Sequence, residues 1–287
     1  MAITASQVAE LRASTGVGLM DCKKALEATA GDLTAAKDWL RKKGIAVAQK
    51  RSDRETKEGA VAIAVAPDKR SAGMARLACE TDFVARTGEF LELARQLALQ
   101  VLAKGAVGVP VQTLVRVTGT GKGTVGEAIL QAIGTTGEKL QFMEAVKVDA
   151  PAGVVGSYVH SNAKIGVLVA LKADGAAAAE RLEPLARDLA MHIAATQVSA
   201  IRPEDVPEDV LRKEKDIYAA QAKESGKPAA IIEKMVQGRL GKFLKEVSLL
   251  NQPFVKNPEL TVAKLLEERG AELGAKLSVE RFAKFTF

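Results

Sequence analysis

Cysteine, histidine and aromatic residues are scarce in this chain, and each scarcity narrows what the protein can be. Cys22 and Cys79 are the only cysteines and His160 and His192 the only histidines among 287 residues. They are too few and too far apart for a disulfide framework, and they lack zinc-ligand spacing. Reduced thiols, and no metal or other cofactor, are the expectation. No G-x-S-x-G elbow occurs and neither cysteine has an activating neighbour in sequence, so nucleophilic catalysis has no visible site. The 35 acidic residues are spread through a charged surface, and no carboxylate pair stands out for acid–base work. The chain is not expected to be an enzyme. Aromatic residues make up 4% of the sequence, so platforms for stacking nucleic-acid bases are few despite a net charge of +6, and no DNA partner is expected. No uncharged apolar run reaches about 18 residues, and the opening Met-Ala-Ile-Thr-Ala-Ser lacks the regions of a signal peptide. A cytoplasmic protein without membrane contact is expected.

What is present is a foldable balance, 47% hydrophobic and 26% charged. The first stretch reads as three short helices. Thr4 to Gln7 is a capping box with Ile3 and Val8 at staple positions, and Gly16 is a stop. Cys22, Ala25, Leu26 and Thr29 recur at helical spacing before Gly31. Asp32 caps a third helix, whose Leu33, Ala36 and Leu40 share a face until Gly44. So small a unit leaves apolar surface for docking. A charged, partly helical linker is expected over 45–58. The basic stretch Arg41, Lys42, Lys43, Lys50, Arg51 and Arg54 reads as a solvated helix end and linker.

The texture then changes to strands, and a pattern repeats. Gly59 to Ala66 and Met74 to Glu80 flank the turn Pro67-Asp68-Lys69-Arg70. Gly153 to His160 and Ile165 to Leu171 flank Ser161-Asn162-Ala163-Lys164. Each hairpin precedes an amphipathic helix. Leu93-Ala94-Arg95-Gln96-Leu97-Ala98 and Leu185-Ala186-Arg187-Asp188-Leu189-Ala190 agree at five of six positions, and each half closes on a similar strand, at Lys139-Leu140-Gln141-Phe142 and Lys276-Leu277-Ser278-Val279. This predicts an α+β fold with a duplicated core, divided as 1–54, 55–148 and 149–287. The second copy is longer by about 45 residues. The excess falls at 203–246, a charge-rich stretch with Ser225-Gly226-Lys227-Pro228 midway, which predicts an antiparallel helical hairpin. Its sparse apolar positions are compatible with pairing two copies of the chain into a homodimer, or with packing only on themselves.

Two motifs remain. Gly121-Lys122-Gly123-Thr124-Val125-Gly126 matches G-x-G-x-x-G behind a candidate strand at Thr113 to Thr118. Gly123 stands where a phosphate-binding loop needs Ser or Thr, and no βαβ unit surrounds it. Direct nucleotide binding is therefore not expected. In Cys79-Glu80-Thr81-Asp82-Phe83-Val84-Ala85-Arg86, a strand ends in two capping residues before a large aromatic. On the residues alone, Phe83 reads as a staple between the next helix and the sheet.

Five segments in order resemble the elongation factor Ts family. They are Leu11-Arg12 through Thr15-Gly16-Val17-Gly18-Leu19-Met20-Asp21-Cys22-Lys23-Lys24-Ala25-Leu26; Glu80 to Ala85; Ile165-Gly166-Val167-Leu168-Val169; Ala190-Met191-His192-Ile193-Ala194-Ala195; and Glu246 to Val255. The resemblance implies a ubiquitin-associated-like N-terminal domain, two related core halves and an inserted hairpin. It implies a guanine nucleotide exchange factor whose partner is elongation factor Tu. By position, Thr81, Asp82, Phe83 and Val84 are implied to meet helices of the GTPase domain, Leu19 and Met20 to belong to the N-terminal contact, and Met191 and His192 to the contact with Tu's third domain. The chain departs from the family pattern at Lys164, where Arg is common, at Gln141 to Glu144, usually basic, and in its Gly-rich 119–126 segment. No further helical module is expected after Phe287. An RNA-associated module and a nucleotide binder built on Gly121 to Gly126 are the competing readings.

Overall fold

The computed structural model describes residues 3–105, 124–174, 179–224 and 228–287. Helices α1 (Ala5–Thr15), α2 (Leu19–Ala28) and α3 (Leu33–Lys50) form the N-terminal domain. Thr4 and Gln7 close the expected capping box and Gly16 ends α1 in the left-handed region at φ 71°, a conformation that glycine adopts without a Cβ penalty. Asp32 caps α3 by accepting the Thr34 and Ala35 amides. Val8, Leu11, Cys22, Ala25, Leu26, Ala36 and Leu40 make the small core.

Gly44 is not a stop. Helix α3 runs through it to Lys50, because a helix of the core crosses there: a Cβ on Gly44 would lie 3.0 Å from the Leu130 carbonyl oxygen. The glycine permits a close crossing, a packing use that sequence punctuation does not distinguish from termination.

The core begins with β1 (Glu58–Val65) and β2 (Ser71–Cys79), followed by the single turn α4 (Asp82–Ala85), α5 (Gly88–Lys104), α6 (Val125–Thr136) and β3 (Gln141–Asp149). The second copy comprises β4 (Gly153–Val159), β5 (Ile165–Asp174), α7 (Ala179–Ala195), the inserted α8 (Glu208–Lys223) and α9 (Ala229–Val247), a short hairpin of β6 (Pro253–Phe254) and β7 (Asn257–Thr261), α10 (Val262–Leu273) and β8 (Lys276–Thr286). The candidate strand at Thr113 to Thr118 and the turn residues Ser225 to Lys227 lie outside the described residues.

Each copy forms a three-stranded antiparallel sheet, in order β1-β2-β3 and β4-β5-β8. The sheets stack face to face through Val61, Met74, Val148, Val155, Leu168 and Ala170, while α5 and α7 cover their outer faces. Strand β5 is thus buried on both sides: Leu168 and Ala170 face the other sheet, and Val167, Val169 and Leu171 face α7. That double burial accounts for its unbroken apolar run.

The duplication extends to details. Thr124 and Thr261 cap α6 and α10, Gly137 and Gly274 end them in left-handed conformation, and β3 and β8 are each bulged, at Met143 and at Glu280. A single constant spacing relates all three pairs, and it is also the spacing between Lys139 and Lys276.

The insertion leaves and returns at one place. The Ser199 amide bonds the Val247 carbonyl at 2.9 Å, Leu249 bonds Ala200 at 2.9 Å and Leu250 bonds Ile201 at 3.1 Å. Its base packs through Val206, Val210, Leu211, Phe243 and Val247, and the 16 residues of α8 reach about 24 Å from it.

Candidate functional site

The turn after β2 is built to present one side chain. Thr81 caps α4, its hydroxyl accepting the Val84 amide at 3.4 Å, and Ala85 anchors the far end in the core. Val84 is half-buried against that core. Phe83, between them, is 83% exposed. It is not the staple that its position in the sequence suggested, because Val84 and Ala85 already occupy the space beneath the turn. Asp82 lies beside it, partly exposed and paired with Arg86 at 3.1 Å.

The footing of this turn is a ring of charge. Glu138, just past the end of α6, accepts the Glu80 amide (3.1 Å), the Thr81 amide (3.0 Å) and the Thr81 hydroxyl (2.6 Å). Glu80 accepts from Arg51 (2.9 Å), Arg54 (2.7 Å) and the Lys139 amide (2.7 Å). Lys139 Nζ donates to the Ser52 and Arg54 carbonyls at 2.6 and 2.9 Å. Burial alone would push the Glu80 carboxyl up; the Lys139 amide and the Arg54 and Arg51 guanidiniums outweigh it and hold the pKa at about 2. Burial, then Glu138 and Glu58, push the Cys79 thiol up to about 12, which leaves it an inert part of the core.

The other exposed apolar residues of interest open α2. Leu19 is 49% and Met20 66% exposed, directly after Gly18.

The region around His192 is different in kind. The ring is fully buried. Its Nδ1 accepts the Val255 amide at 3.2 Å, which leaves the proton on Nε2, 2.9 Å from Gln252 Oε1. Gln252 in turn donates to the Gln197 and Glu246 carbonyls at 2.9 and 2.6 Å. One neutral imidazole and one amide therefore pin together the end of α7, the end of α9 and the loop carrying exposed Val255. Burial lowers the imidazole pKa, only partly opposed by the bond to Gln252. Nearby, Lys284 donates to the Ile193, Ala194 and Thr196 carbonyls and caps the C-terminus of α7. Met191 is half-buried. His192 offers no surface for direct contact; it is a buried post beneath Val255.

A family model described as Elongation factor TS matches residues 80–287. Elongation factor Ts of Agrobacterium fabrum is 46% identical over 282 residues, covering 96% of this chain and 90% of that protein. The elongation factor Ts proteins of Nitratidesulfovibrio vulgaris and Trichlorobacter lovleyi are 42% and 41% identical, each covering 99% of this chain and 96% and 92% of their own lengths. The chain belongs to the elongation factor Ts family. It is thereby a protein of translation elongation. The turn that carries exposed Phe83 lies at the start of the matched region, and the three N-terminal helices precede that region.

Other segments singled out in the sequence fall into structural roles. Arg41 pairs with Glu127 at 2.5 Å, Lys43 with Asp21 at 2.5 Å, and Arg51 and Arg54 with Glu80, so four of the six basic residues make ion pairs within the chain while Arg41 and Arg54 remain more than half exposed to water. Of the glycine motif, residues 121–123 lie outside the described residues, as does the 119–123 part of the Gly-rich segment. Thr124 and Glu127 form a capping box that satisfies the first amides of α6 internally. Lys164, where the family commonly has Arg, pairs with Glu58 at 2.6 Å, and Glu144 pairs with Arg76 at 2.8 Å. Among the described residues no group of His, Cys, Asp and Glu could hold a metal, and no helix is long and apolar enough to cross a membrane.

Sequence reasoning missed Glu80, Glu138, Lys139 and Gln252. A signal existed for Glu138: at the matching position of the second copy stands Ala275, so the carboxylate is not part of the duplicated frame.

Proposed function

We propose that this chain binds elongation factor Tu and drives GDP from it, with Phe83 as the wedge. The observation that carries the reading is the 83% exposure of that ring on a turn held by Glu138, in a chain of the elongation factor Ts family. A large apolar ring held in water gains by entering an apolar site elsewhere. Thr81 and Val84 support it, and Asp82 shares its face. Leu19 and Met20 supply a second apolar contact to the GTPase domain. The loop over His192, with Met191 beside it, meets Tu's third domain; His192 acts by holding that loop.

GDP is held on a GTPase largely through its phosphates and a bound Mg²⁺. A wedge that parts the helices framing that site favours a conformation in which both are poorly held. Because coupling between sites is reciprocal, the chain weakens GDP binding by the factor by which GDP weakens its own. It therefore speeds release without selecting GTP, and the excess of GTP sets the direction. No step makes or breaks a covalent bond, and the chain itself needs no nucleotide.

The test is stopped-flow release of labelled GDP from purified Tu. Addition of this protein is expected to accelerate release, and Phe83→Ala to lower the saturating rate by more than about tenfold while thermal unfolding is unchanged. A folded Phe83→Ala protein with full activity removes the wedge.

A further inference from the structure

We infer that Glu138 is the positioning residue of the Phe83 turn, and that Glu80 extends the same brace to the linker of the N-terminal domain, so that Phe83 and the N-terminal helices are presented as one preset surface. The inference rests on the exchange reading above and deepens it.

An exposed aromatic on a single helical turn has little of its own to hold its direction. A helix of four residues has almost no internal hydrogen bonding, and isolated turns of that length do not persist. Yet the residues ahead of Phe83 are fixed. The two amides that precede α4, of Glu80 and Thr81, and the hydroxyl that caps it all end on one carboxylate. A carboxylate accepts only, and it accepts well from several donors at once, so it suits this place as an amide or a hydroxyl would not. Glu138 is delivered there by the left-handed Gly137, at φ 69°, which ends α6 and turns the chain toward the foot of β2.

The next residue continues the brace. The Lys139 amide bonds Glu80, and Lys139 Nζ holds two carbonyls of the linker whose Arg51 and Arg54 reach back to the same Glu80. Helix α6 itself, which carries Glu138 at its end, bears the crossing with α3 at Gly44 and Gly134. The N-terminal domain and the Phe83 turn are therefore fastened to the same short segment. In the second copy the equivalent helix ends in the same left-handed glycine, but Ala275 follows and can brace nothing. The carboxylate occurs only in the copy that has the exposed ring to aim.

The experiment uses the full chain and Tu carrying labelled GDP, and follows saturating release rate and half-saturating concentration separately. Glu138→Ala is expected to lower the saturating rate about tenfold with little change in half-saturation, and Glu138→Gln, which keeps one accepting oxygen and loses the other, to recover only part of it. In a Phe83→Ala background the Glu138→Ala change is expected to cost nothing further, since an aim without a ring has no effect. A loss of equal size in both backgrounds makes Glu138 a merely structural residue and overturns the inference, as does full activity of Glu138→Ala. If Glu138→Ala fails to fold, Glu138→Gln in the two backgrounds decides by the same comparison. Absence of release by the unmutated chain instead defeats the exchange reading itself.

Discussion

Helices α6 and α10 are the same element made twice and put to different uses. Both start at a capped threonine, end at a left-handed glycine and bury matching residues, Val125 and Ile129 in one, Val262 and Leu266 in the other. Their second faces diverge. Leu130, Gln131 and Gly134 of α6 receive the N-terminal domain: Gly134 lies against Gly44, and Gln131 donates to the Thr15 carbonyl at 2.9 Å. The matching Glu267, Glu268 and Ala271 of α10 are exposed. Duplication thus supplies a frame, and a few substitutions on the free face decide whether a helix faces water or a neighbouring domain. The second copy invests elsewhere, in the buried His192 and Gln252.

Four substitutions sharpen this contrast. His192→Ala has the largest expected effect, because it empties a fully buried ring site and takes the partner from buried Gln252 Oε1 and from the partly buried Val255 amide; about 3 kcal/mol of stability should be lost, read by urea unfolding. The same histidine predicts a pH dependence. Its folded pKa lies below the ordinary value of about 6.5, so the unfolded chain binds the proton more readily. Stability is full above that value and falls as pH drops below it toward the folded pKa, a slope that His192→Ala should remove. Gly134→Leu should cost about 2 kcal/mol by wedging α3 from α6, with protease sensitivity appearing between the N-terminal domain and the core. A Gly134→Leu protein as stable as the parent breaks the comparison.

Next comes Glu80→Gln. The parent carboxyl is held at about 2, below its ordinary 4.5, so the stability it contributes is present above 4.5 and lost as pH falls toward 2. The variant should lack that part of the acid limb of the pH–stability curve and be about 1 kcal/mol less stable at neutral pH. Smallest is Ala271→Leu, the second-copy counterpart of Gly134→Leu. On an open face it should change stability by less than about 0.5 kcal/mol.

The frame was legible in the sequence because its signals are local. The box at Thr4 and Gln7, the apolar runs flanking turn residues, the repeated Leu-Ala-Arg motif and the excess length at 203–246 each depend on residues near one another, and each matches the elements seen. What was not legible depends on residues far apart. Nothing in sequence joins Glu138 to Thr81, or tells a glycine that ends a helix from one that admits another helix, as Gly44 does. His192 was legible only as a contact implied by the family resemblance, although it stands on α7 among buried Leu189, Ala190 and Ile193. Only the fold brings Gln252 and the Val255 amide to its two nitrogens. The exposure of Phe83 was likewise decided by Val84 and Ala85, which fill the space first.

The paired ends of the inserted hairpin carry a consequence for protein engineering. Since the chain departs after Ile201 and comes back alongside Ser199 at Val247, the whole outgrowth can be excised and the gap closed by a short polar loop without stretching β8 or α7. Such a trimmed protein would have two halves of nearly equal length, a close approach to the symmetric ancestor from which a repeated architecture is assembled. It would also be a scaffold with a ready port for grafting a different arm.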